Sequence, residues 1–117
     1  MQTSYSITKE EKDDVILFRL NGYIAEQGGD ALKTQVEEAI NEGYSLFGLD
    51  FTGVSLVSSP GIAHLINICS IVMDDLDGEI YTWGLDKHHT SVFEMTGLFS
   101  YFVNTANEEE ALEHLRG

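Results

Sequence analysis

The sequence predicts an α/β fold: a mostly parallel sheet of four or five strands with about four helices packed on it, and an N-terminal strand running antiparallel. Three observations carry this. Apolar runs at a period of two alternate with apolar stripes at helical spacing, which implies crossover connections and parallel strands. Glycine and asparagine punctuate the change from one period to the other. The first two apolar runs are joined by a short charged turn instead of a helix, the pattern of a hairpin. With 117 residues the chain is expected to form one domain over residues 1–117, large enough to bury roughly two-thirds of its unfolded surface.

In chain order, Tyr5 and Ile7 alternate with polar residues up to Lys9, and residues 10–14 form the charged turn. Residues 15–20 make a second strand, expected to end at Asn21-Gly22. Tyr23, Ile24 and Ala25 then lead through a flexible Gln27-Gly28-Gly29 into a helix over about 30–42. Ala31, Leu32, Val36, Ala39 and Ile40 are its apolar positions, and Gly43 closes it. Phe47, Leu49 and Phe51 are apolar at strand spacing, and that strand is expected to stop within residues 50–53. Ser58-Ser59-Pro60-Gly61 opens a second helix over about 60–76. Proline suits a first helical position because its missing N–H has no intrahelical partner there, which predicts Ser59 as the N-cap.

Further on, Asp77-Gly78 turns the chain into a strand over 79–83. A polar loop over 86–90 starts a third helix carrying Val92, Phe93 and Met95 and ended by Gly97. Residues 101–105 read as the last strand. Asn107 caps the final helix, where Glu108, Glu109 and Glu110 suit the positive end of the dipole.

On the second helix, Ile62, Leu65, Ile66, Cys69, Val72, Met73 and Leu76 fall on one stripe, the expected core face. His64, Ile68, Ile71 and Asp75 lie off it. Isoleucines outside a core stripe have three readings: a partner face, cover by a neighbouring helix, or scattered surface residues. The turn at Ser58-Ser59 falls at the carboxyl end of a strand, where open sheets of this kind gather function. Its hydroxyls stand where a helix N-terminus stabilises anions. A serine-proline pair is by itself most commonly a plain helix start.

Composition excludes several classes. Six Lys+Arg against twenty Asp+Glu give a formal charge of −14, which repels nucleic acid and anionic membranes alike. The single Cys69 sits on an apolar stripe and is expected to be a buried thiol. No basic-apolar leader and no run long enough to span a bilayer are present, so a cytoplasmic protein without direct membrane insertion is expected. His64, His88, His89 and His114 show no metal-ligand spacing, and neither a metal nor any other cofactor is expected. Val57-Ser58-Ser59-Pro60-Gly61 lacks the glycines of a nucleophile elbow, and no phosphate-binding or dinucleotide loop occurs. No catalytic set is recognised, and the protein is not expected to be an enzyme.

Five segments in order carry a family likeness: Val15-Ile-Leu-Phe-Arg-Leu-Asn-Gly22, Leu49-Asp50-Phe-Thr-Gly-Val54, Val57-Ser-Ser-Pro-Gly-Ile62, Phe93-Glu-Met-Thr-Gly-Leu98 and Asn107-Glu-Glu-Glu-Ala-Leu112. With them the chain resembles STAS domains, and among these the anti-sigma factor antagonists of bacterial partner switching. The resemblance implies a docking protein that binds a GHKL-type serine kinase doubling as anti-sigma factor. It further implies phosphorylation of one serine by that kinase and reversal by a PP2C-type phosphatase. Ser59 matches the phosphoacceptor, with Ser58 as fallback. Ser58, Pro60, Gly61, His64, Ile68, Ile71, Asp75, Tyr23 and Ile24 are the expected partner-binding residues. The chain departs from the family pattern at Ser58, where the family has aspartate, at Pro60, where it has Ser/Thr, and at Ala25, where an acidic residue is common. These departures keep open a STAS scaffold that is never phosphorylated, serving a signalling assembly or a membrane transporter. A small-molecule binder or enzyme would require an occupied pocket at the strand ends.

Overall fold

The computed structural model describes residues 4–115, with the side chain of Asp75 outside that description. The elements run β1 (Tyr5–Lys12), β2 (Val15–Ile24), α1 (Glu26–Asn41), β3 (Leu46–Val57), α2 (Ser59–Cys69), β4 (Glu79–Trp83), α3 (Lys87–Thr96), β5 (Phe102–Asn104) and α4 (Glu108–Leu115). A π-helical stretch, Ser70–Asp75, extends α2, and a 3₁₀ turn, Leu98–Ser100, follows α3. The five strands lie in the order β1-β2-β3-β4-β5. β1 pairs antiparallel to β2, and all later neighbours are parallel. The predicted fold class and element order are therefore observed.

Several boundaries differ from expectation. β1 runs on to Lys12 and the hairpin turn shrinks to Asp13-Asp14, with Asp13 in the left-handed region at φ 60°. β2 passes through Asn21-Gly22 to Ile24, absorbing register shifts there against β3. Gly22 takes φ 84°, and a Cβ on it would stand 2.3 Å from the Ser4 carbonyl oxygen. β3 likewise continues to Val57, because β2 keeps pairing with it after β4 has ended at Asp50↔Trp83. The glycines expected to be a flexible approach to α1 are instead its buried first turn: Gly28 packs on the Tyr5 ring and Gly29 on the His64 side chain. Close approach between elements, not loop freedom, explains that pair.

Alternation sorts the strand residues onto two faces. Ile16, Phe18, Leu20, Phe47, Leu49, Phe51, Ile80 and Phe102 join α1, α2 and α3 in one core, in which Phe93 of α3 meets Phe51 edge-on at 5.5 Å between ring centroids. Val15, Leu17, Tyr81 and Trp83 face the other way and are covered by Ala111, Leu112 and Leu115 of α4. Asn107 caps α4 as predicted, its side-chain oxygen accepting from the Glu110 N–H at 2.9 Å.

The first turn of α4 is tied down by Arg19. Its guanidinium donates twice to Glu108, at 2.6 and 3.2 Å, once to Glu10 at 2.8 Å and once to Asp50 at 3.1 Å, while Lys12 reaches Glu108 at 3.0 Å. A planar fork meeting a carboxylate with both arms is the strong form of this contact. The Arg19 hydrogen bond, aided by Lys12, holds the Glu108 carboxyl below its ordinary 4.5.

The roll of α2 overturns one expectation. Ile68 is buried at 1% exposure and Ile66 stands out at 43%, the reverse of the stripe read from spacing. The reason is Gly61: a Cβ there would lie 2.2 Å from the Ile24 carbonyl oxygen, so this position packs flush on the end of β2. Seven residues on, Ile68 shares its side of the helix and is carried inward with it.

Two outcomes are expected in urea unfolding. Ile68→Asp lowers stability by more than about 4 kcal/mol, since it buries an unpaired carboxylate, whereas Ile66→Asp changes it by no more than about 0.5 kcal/mol. Glu108 has a depressed folded value, so its contribution is complete above the ordinary 4.5 and is lost as pH falls through the folded value. Glu108→Gln is accordingly less stable than wild type at neutral pH by up to about 1 kcal/mol, allowing for solvent screening. The gap closes as the medium is acidified below 4.5.

Candidate functional site at the start of the second helix

The chain leaves β3 at Val57 and enters α2 at once. Ser58 is the N-cap, with extended backbone, and its Oγ accepts the Gly61 N–H at 3.3 Å. Its own N–H donates to the Ile24 carbonyl at 3.0 Å, and its carbonyl accepts from the Ile62 N–H at 2.9 Å. Ser59 is thus the first helical residue and Pro60 the second, one place later than predicted. Nothing is lost by the shift, because the first four N–H groups of a helix have no intrahelical acceptor. The consequence is a division of labour between the serines. Ser58 is half-buried with its hydroxyl engaged in the cap, while Ser59 and Pro60 are exposed.

The other expected contact residues divide in two. Tyr23 is half-exposed and lines, with Ala25, Glu26, Gln27 and Gly28, a solvent-open groove of about 360 Å³ at the carboxyl end of β2. His64 faces this region: its Nε2 lies 2.9 Å from Glu26 Oε1, bridging α2 to the first turn of α1. Its Nδ1 is buried without a partner, and the ring stands against Gly29. Ile71 is half-buried. By contrast, Ile24 and Ile68 are wholly inside, at 0% and 1% exposure, and Gly61 is buried under the Ile24 carbonyl. Those three, expected as contact residues, are buried and shape the site from below. The side chain of Asp75 lies outside the described residues.

Beside Ser59 and Pro60, which were expected, spacing missed four residues that face outward: Ala63, Ile66, Asn67 and Ser70. Ser59, Pro60, Ala63, Ile66, Asn67 and Ser70 form the exposed side of α2 and its continuation. Ile66 is the large apolar residue among them. The apolar arc of this helix is too broad for a helical wheel to tell which edge is solvent-facing; the glycine at 61, demanding a flush contact, was the available signal.

A second helix reaches the site from the far side. Beyond Asp50 the outer edge of β3 has lost β4, and α3 covers it. The His89 ring, 3% exposed, accepts the Val57 N–H on Nε2 at 3.2 Å. Its Nδ1 lies 2.9 Å from Asp86 Oδ1, the same atom that caps α3 by accepting the His89 N–H at 2.8 Å. With Nε2 as acceptor, the proton belongs on Nδ1 and is donated to Asp86. The His89 N–H and then its ring hold the Asp86 carboxyl below the ordinary 3.8.

Burial pushes the Cys69 thiol up to about 12, which leaves it protonated and inert. Among the described residues no group of three or more metal-ligating side chains is gathered, and no helix is long and apolar enough to cross a membrane. What the site offers is a rigid, solvent-facing helix start with a free hydroxyl on its first residue.

Comparison with known proteins bears on the fold and the family. No curated protein sequence gives a significant match. Solved structures do: a candidate anti-sigma factor antagonist from Thermotoga maritima superposes with a TM-score of 0.85 at 20% identity, covering 95% of each chain. An anti-sigma factor antagonist from Mycobacterium paratuberculosis gives 0.84 at 18% identity, covering 97% of this chain and 96% of its own. The anti-sigma factor antagonist SpoIIAA in its unphosphorylated form gives 0.76 at 19%, covering 96% and 99%. At these identities the likeness shows a shared fold. The family itself is shown by sequence: the STAS domain model matches residues 6–112, nearly the whole length, and the chain belongs to the STAS domain family.

Proposed function

We propose that this protein is a phosphorylation-controlled docking protein of the partner-switching kind, with Ser59 as its phosphoacceptor. In this reading the unphosphorylated face binds a GHKL-type serine kinase that doubles as anti-sigma factor, and a PP2C-type phosphatase restores that face after modification. It is a cytoplasmic, non-enzymatic binding domain. The observation that carries the proposal is the contrast between the serines: Ser58 spends its hydroxyl on the Gly61 N–H, while Ser59 is exposed on the first residue of α2. SpoIIAA, alike in fold, occurs in both an unphosphorylated and a phosphorylated form, which supports a reversible switch on this scaffold.

The electrostatics favour such a switch. Phosphate adds roughly −1.5 to −2 charge at a helix N-terminus, where the domain tolerates it. A partner seated over Ser59 and Ile66 would have to desolvate that charge, so binding changes without remodelling the fold. A second reading, a constitutive scaffold, draws on Pro60. This residue removes one N–H from the helix start and stiffens the turn that a kinase must engage.

The test is incubation of the protein with GHKL-type serine kinases of its own organism, and ATP. Phosphate is expected on Ser59, retained in Ser58→Ala although that variant loses about 1 kcal/mol of helix cap, and absent in Ser59→Ala. Ser59→Asp is expected to weaken the complex by about tenfold or more, measured by titration calorimetry. An unmodified protein that also forms no complex removes the proposal, and Ser59→Asp binding as tightly as wild type assigns the scaffold role.

A further inference from the structure

We infer that His89 is a proton-operated latch on the strand end that carries Ser58 and Ser59. The Val57 N–H points out of the sheet on the side where β4 has already stopped, so no backbone acceptor is available to it. A buried N–H without an acceptor is costly, and the neutral imidazole of His89 fills that need from α3. The acceptor exists only while Nε2 is bare. Protonation turns both ring nitrogens into donors, and two N–H groups then face each other across the 3.2 Å gap.

The charged and titratable groups near the ring are few. Asp86 Oδ1 already accepts from Nδ1. The His88 ring centroid lies 5.1 Å away, and the His89 ring is buried. The neighbouring Lys87 is exposed on the same helix. From β3 the one titratable side chain is Asp50, held on the opposite face of the sheet by Arg19. From α2, His64 is occupied with Glu26. Protonation of His89 therefore acts chiefly on Val57, one residue before the cap that sets Ser59. In the neutral state α3, β3 and the start of α2 are one unit; in the charged state the end of β3 is held by β2 alone. The latch does not require Ser59 to be phosphorylated, so it stands or falls separately from the proposed switch.

Amide and imidazole resonances of the full chain, followed by NMR from about pH 8 to about pH 5, test it. The Val57 amide is expected to move with the same midpoint as the His89 ring. Its hydrogen-exchange protection, corrected for intrinsic rate, is expected to fall on the order of three- to tenfold across that transition. His89→Gln, whose side-chain oxygen accepts but does not titrate, is expected to keep Val57 protected and pH-independent. His89→Phe loses the protection at every pH. A Val57 amide that ignores the His89 titration, a His89 ring that stays neutral until the protein unfolds in acid, or an unchanged pH response in His89→Gln each overturns the latch.

Discussion

Much of this molecule follows from one close contact, the Gly61 backbone lying against the carbonyl of Ile24. That carbonyl also accepts the Ser58 N–H, so the end of β2 grips both the cap residue and the first turn of α2. A side chain at position 61 would force the helix away or roll it about its axis. Because none is there, α2 rests on its Gly61–Leu65–Ile68–Cys69–Val72 side. Ser59, Pro60, Ala63 and Ile66 are turned out as a direct geometric result. Exposure of the candidate phosphoacceptor is thus a packing outcome, set where backbone meets backbone.

The two faces of the sheet answer different needs. Three helices cover the side that supplies the large core, and a single short helix covers the other, where three apolar residues and a knot of charge hold it. α4 has eight residues, fewer than a helix needs to persist by itself in water. Arg19 compensates by joining β1, β2 and β3 to its first turn. The acidic N-terminus that suits the helix dipole is in this way also the anchor to the sheet. That arrangement leaves the opposite end of the molecule, where β2 and β3 outrun β4, as the place from which loops and helix starts project.

Where β3 outruns its neighbour, its outer edge needs other partners, and α3 supplies them with Phe93 against Phe51 and His89 against Val57. An aromatic contact gives burial without direction, whereas the imidazole gives one hydrogen bond that depends on protonation. The helix start at Ser58 is consequently framed from two sides: β2 through Ile24, and α3 through His89. Neither contact involves a residue of the outward face. A partner docking there would meet a surface whose shape is determined by groups it never touches.

Periodicity and punctuation were sufficient for the element order, the antiparallel first strand, the Asn107 cap, the Gly97 terminus and the buried Cys69, because each depends on neighbours a few residues away. The family resemblance likewise rests on short segments that can be read in order. The strand expected to stop within residues 50–53 continues to Val57, and Gly28-Gly29, expected to be flexible, are packed helix. In both cases the deciding contact comes from a distant element, β2 in one and Tyr5 and His64 in the other. The same holds for Ile66 and Ile68, for the choice between Ser58 and Ser59 as cap, and for the role of His89. By itself the sequence determined which pieces form and in what succession, since local propensity and hydrophobic spacing act within a turn or two of chain. Only the tertiary structure decided which side of α2 faces water and which serine keeps a free hydroxyl, because both depend on how closely a backbone thirty-seven residues away can approach, and that distance is settled by packing.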